Sequence, residues 1–117
     1  MLETARRKFL DPNEVVRRDA LEKLWDGWER LKTIESGPDK KAQVAALLDR
    51  VSSSAGPNFR QILEAEATQL TKMGNSFQIR HSETTQERLR SSDHVDYMFH
   101  RLFALVRLVL RASGRGG

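Results

Sequence analysis

The stretch SDHVDYMFHRLFALVRLVLRA, residues 92–112, decides the fold. Val95, Met98, Phe99, Leu102, Leu105, Val106 and Val109 recur at spacings of three and four, which places them on one broad arc of a helix. Asp96, His100, Arg107 and Arg111 fall on the other side. The helix should begin at Ser92 or Asp93 and run to about Ala112, ending before Gly114. Asp96 and His100 form an i,i+4 pair, so the imidazole is expected at the surface beside a carboxylate. The apolar arc is wide enough for two surfaces, the core of the protein and a dimer partner. Its longest apolar run, Leu102 to Leu110, is broken by Arg107 and is too short to span a bilayer, so no membrane partner is expected.

Upstream, the same periodicity repeats. A short segment, Leu2 to Leu10, precedes Asp11-Pro12-Asn13-Glu14, which reads as a helix start with Asp11 as N-cap and Pro12 at the first position. A helix from Pro12 to about Glu35 carries Ala20, Leu21, Leu24, Trp28 and Leu31 on one face. Gly37-Pro38 stops it, and Asp39 can cap the next, whose apolar set is Val44, Leu47, Leu48 and Val51. Ser52 to Pro57 reads as a loop. Asn58 is the expected cap of a further helix bearing Phe59, Ile62, Leu63, Leu70, Met73 and Phe77. Residues 79–92 are polar and charge-dense, and nothing alternates with period two for long enough to make a strand. The reading is an all-α fold with one domain over residues 1–112 and a flexible Gly-rich tail over 113–117.

Composition narrows the function classes. At 117 residues the chain is large enough for a single core, and its 31% charged and 38% hydrophobic content suits a globular protein. A net charge of +4 permits a polyanionic partner. With no cysteine, disulfides, zinc-thiolate sites and thiol catalysis are excluded. The three histidines, His81, His94 and His100, match no zinc-ligand spacing, so no metal or cofactor is expected. Glu3, Arg6, Arg7 and Lys8 follow Met1 where a signal peptide would be apolar, so a cytoplasmic location is the default expectation.

Two charges fall on apolar stripes. Glu66 lies among Ile62, Leu63, Leu70 and Met73, and Arg17 lies on the Leu24/Trp28 face. A lone buried ion would cost several kcal/mol, so Glu66 is expected to meet Arg17, Lys32 or Arg80. It then serves either as a structural ion pair between helices or as a support that orients Arg80 and His81. Trp25, Trp28 and Lys32 on one helix could stack a base beside a cation, although Trp28 reads better as core, with Trp25 at its edge.

The segment GNSFQIRHSE, residues 74–83, concentrates an amide, a guanidinium, an imidazole and a carboxylate where a helical pattern runs out. Such groups can hold a phosphate and move a proton. Equally, an Arg there can cap the carbonyls of a helix end while the His fills a hydrogen-bond slot.

The strings RRDALEKLWDGWERLKT, EAEATQLTKMGNSFQIRHSET and DYMFHRLFALVRLVLR resemble bacterial HEPN-type proteins of abortive-infection and toxin systems, over about Asn13 to Arg111. The resemblance implies a HEPN-like bundle of four to five helices with two long antiparallel central helices, often homodimeric. It also implies a metal-independent endoribonuclease, with RNA as substrate and an antitoxin or other defence-system protein as a possible partner. The usual motif of that family is an Arg, then Asn or another polar residue, a short spacer and a His. Asn75 and His81 resemble its Asn and His, but Gly74 stands where the Arg belongs. Arg80 could supply the guanidinium from elsewhere. A second match to the spacing, Arg88 and His94, ranks behind.

Metal-free cleavage uses the ribose 2′-hydroxyl as nucleophile, which confines the chemistry to RNA. In that scheme His81 takes the proton, Arg80 stabilises charge on the phosphorane, Asn75 orients a phosphate oxygen or the imidazole, and Glu83 and Glu66 support. Lys32, Arg107 and Arg111 are further RNA contacts. The alternatives are a non-catalytic HEPN-like module that dimerises and binds RNA, a nucleotide or a protein, and a purely structural adaptor.

Overall fold

The computed structural model describes residues 2–10, 13–76 and 92–112. They form five helices: α1 (Leu2–Phe9), α2 (Glu14–Leu31), α3 (Lys40–Val51), α4 (Pro57–Ser76) and α5 (Ser92–Ala112). No strand occurs among the described residues. The chain is all-α, as its periodicity requires.

The helix boundaries follow from caps, not all of them the expected ones. Asp39 caps α3, its side chain accepting from the Ala42 N–H at 2.8 Å. The cap of α2 is Asn13, which accepts from the Val15 N–H at 2.9 Å, not Asp11; Asp11 and Pro12 lie outside the described residues. The α2 helix ends at Leu31, short of the Glu35 suggested by its pattern, and Thr33 turns back to the Arg30 carbonyl. At the start of α4, Gly56 takes φ 94° and Pro57 occupies the first helical position, so Asn58 lies inside the helix and is not its cap.

Burial follows the apolar stripes most closely on α5. Val95, Met98, Phe99, Leu102, Leu105, Val106 and Val109 are all buried, against Leu24, Trp28, Leu47 and Leu48 in the shared core. The stripe of α4 is rotated from expectation: Leu63, Ala67 and Leu70 are buried, whereas Ile62 is 64% exposed. Phe77 lies outside the described residues. The segment preceding α2 is itself a helix, α1, fastened by Ala5 in the core and by Phe9 stacked on Phe99 with ring centroids 3.9 Å apart.

The two longest helices, α4 and α5, are each about 30 Å long at about 1.5 Å per residue. They run antiparallel: Ile62 near the start of α4 shares a groove with Leu108 near the end of α5, while Met73 near the end of α4 meets Arg101. The C-terminus of α4 and the N-terminus of α5 therefore lie at the same end of the bundle.

Candidate functional site

The end of α4 carries the first candidate. Gly74 is buried, and a Cβ built there would lie 2.3 Å from the Trp25 indole, so the ring of α2 lies flat against the backbone of α4. Any side chain at 74 would have to displace that ring. The space beside position 74 is thus occupied from outside by Trp25. This contact also corrects the placement of Trp25 at the edge of the core, because Trp25 and Trp28 are 1% and 0% exposed and unavailable for stacking a base.

Asn75, the next residue, is exposed on the last turn of α4. His94 is exposed on the first turn of α5, at the same end. Arg80, His81, Glu83 and Arg88 lie outside the described residues.

Glu66 meets a cation that the sequence reading did not name. Its carboxylate accepts from Arg101 Nη2, across the α4–α5 seam, and Arg101 Nη1 lies 3.3 Å from Met73 Sδ with its guanidinium over the Tyr97 ring at 5.5 Å. That pairing holds the Arg101 pKa above its ordinary value. Two of the expected partners are engaged elsewhere: Arg17 faces Asp96 at 3.7 Å between α2 and α5, and Lys32 pairs with Glu29. Asp96 accordingly points to Arg17, while His100 lies edge-on to Phe9 at 5.2 Å.

Lys32 is the largest departure from expectation. It is 3% exposed, donates to Thr71 Oγ1 at 3.1 Å and to Glu29, and its ammonium lies 5.7 Å from the ring centroids of both Trp25 and Trp28. Burial lowers its pKa from 10.5, with the Glu29 hydrogen bond and charge opposing that shift and Lys40 reinforcing it. Lys32 is nearly buried and opens on a cleft between α3 and α4, so it is not the surface contact expected. A long-range partner on α4, invisible in local spacing, is what buries it. Arg107 and Arg111 are exposed, one turn apart on α5, as expected.

No protein-family model, curated protein or solved structure matches the chain. The likeness to HEPN proteins therefore rests on the sequence strings alone. Among the described residues, no helix is long and apolar enough to cross a membrane.

Proposed function

We propose that the protein is a HEPN-like helical module that binds RNA along the outer face of α5 without cutting it. The observation that carries this reading is the pair Arg107 and Arg111. Both are exposed and neither has a carboxylate partner among the described residues, whereas Arg17, Arg50, Arg60 and Arg101 each face one. Two guanidiniums one turn apart suit successive phosphates, each contact releasing counterions. The closure of position 74 by Trp25 supports binding over catalysis, since it leaves no room for the motif arginine.

A second reading, metal-independent endoribonuclease, is favoured by the exposed Asn75 at the tip of α4 and by Arg80 and His81 in the following sequence. Here His81 abstracts the 2′-hydroxyl proton and Arg80 holds the charge that builds on phosphorus. Cellular RNA incubated in EDTA with the native protein, His81→Ala and Arg107→Gln/Arg111→Gln separates the two. Binding alone gives salt-sensitive retention that the double arginine variant weakens, and intact RNA throughout. Cleavage by the native protein that disappears in His81→Ala replaces the first reading with the second.

A homodimer remains part of the proposal. The groove along α4 and α5, about 610 Å³ and flanked by Ile62, Leu105 and Leu108, supports it. Sedimentation of the native chain beside Ile62→Asp tests it. A setting in phage defence or beside an antitoxin rests only on the resemblance, and growth arrest on expression, relieved by His81→Ala, is its test.

A further inference from the structure

A second site lies on the other side of α4. Between α3 and α4, closed at one end by the C-terminus of α2, is a cleft of about 450 Å³. That is within the range of roughly 300–1,000 Å³ typical of small-molecule sites. Its walls are apolar, with Val44 and Leu48 from α3 facing Ala67 from α4. Its closed end is not. Lys32 and Lys40 both reach the Glu29 carboxylate there, Lys40 Nζ at 3.4 Å, so two ammonium groups share one carboxylate. One positive charge is left over beside the apolar walls, with the Lys40 side chain 56% exposed and Lys32 nearly buried.

The hydroxyl groups agree with an anion there. Thr71 Oγ1 accepts from Lys32 and so keeps its own hydrogen to donate. Thr68, one turn earlier on α4, lines the same cleft. On the rim, Glu64 faces Arg60 at 3.3 Å and Lys41 is exposed. A monoanion would neutralise the charge that Glu29 leaves over between Lys32 and Lys40. Flexible methylene chain suits the walls, and a polynucleotide does not fit between two packed helices.

We propose that this cleft binds an amphiphilic monoanion, a medium-chain carboxylate, with its head on Lys32, Lys40 and Thr71 and its tail between Val44 and Leu48. The site is independent of the RNA reading and uses none of its residues.

Calorimetric titration of the intact protein with sodium decanoate, below its micellar concentration, tests the proposal against decanol, acetate and decyl phosphate. Saturable 1:1 binding of decanoate, with acetate and decanol each at least about tenfold weaker, is expected. Lys40→Gln removes an exposed lysine and should weaken decanoate roughly tenfold, the size of one charge-assisted hydrogen bond. Thr68→Trp fills the cleft from an exposed position and should reduce binding to background; unchanged helical circular dichroism certifies each variant, and either alone suffices. Decanol binding as well as decanoate would overturn the head site, and acetate doing so would overturn the tail site. Decyl phosphate binding more tightly would overturn the choice of a monoanion. Failure of decanoate to saturate, or indifference to both substitutions, would overturn the whole.

Discussion

A single hydrogen in place of a side chain at position 74 lets two helices meet through an indole ring. In an unconstrained helix, Gly→Ala gains about 1 kcal/mol. Here the added Cβ would lie 2.3 Å from the Trp25 ring, and overpacking of that kind costs about 1–3 kcal/mol. Gly74→Ala should therefore lower the urea midpoint, and Gly74→Arg should lower it further. A midpoint that rises would mean Trp25 can step aside, and the requirement for glycine at 74 would be lost. Lys32 makes the other prediction at this scale. Its folded pKa lies below its unfolded 10.5, so the unfolded chain binds more protons in the interval between them. Lys32 thus contributes stability that grows as pH rises through its folded pKa towards 10.5 and is lost as pH falls. Melting temperatures of the native chain and Lys32→Met, followed towards pH 10.5, should shift relative to each other in favour of the native chain. Parallel curves would show that the ammonium is not desolvated.

Among the elements, α5 was the most legible because one arc of seven apolar residues admits only one orientation on the core. The Asp39 cap was legible for the same local reason, a short side chain just ahead of a periodic run. The start of α4 was not: Asn58 is a good cap by type, but Gly56-Pro57 places the turn before it. Nor was the partner of Glu66, because Arg101 stands 35 residues away and only the antiparallel pairing of α4 and α5 brings it near. That pair is partly open to solvent, with side chains 24% and 35% exposed, so its coupling should be modest. A double-mutant cycle on Glu66→Gln and Arg101→Met should return about 1 kcal/mol. A coupling indistinguishable from zero would leave the α4–α5 seam to its apolar contacts alone.

At the level of the molecule, the all-α architecture was readable from periodicity, whereas the candidate site was readable only in part. Asn75, His94, Arg107 and Arg111 are exposed, as their polar character suggested. Lys32 looked like a surface cation because its own helix gives no hint of Thr71 on α4, and Trp25 looked marginal because Gly74 is still further away in sequence. The basic charge of the whole chain predicts salt-sensitive RNA retention. Neutralising Arg107 and Arg111 together should reduce the slope of log K against log salt by about 1.4–1.8, the share of two phosphate contacts. An unaltered slope would place the RNA elsewhere.

Both tryptophans of the chain sit on α2 inside the core, and both face the Lys32 ammonium. Their ultraviolet emission should be blue-shifted in the native protein and move to the red when the helices separate. Because the ammonium also lines the cleft between α3 and α4, the anion proposed to bind there should alter the electric field at both indoles. Emission from the native chain should thus report unfolding without any attached dye, and a change on adding decanoate should report occupancy of the proposed site.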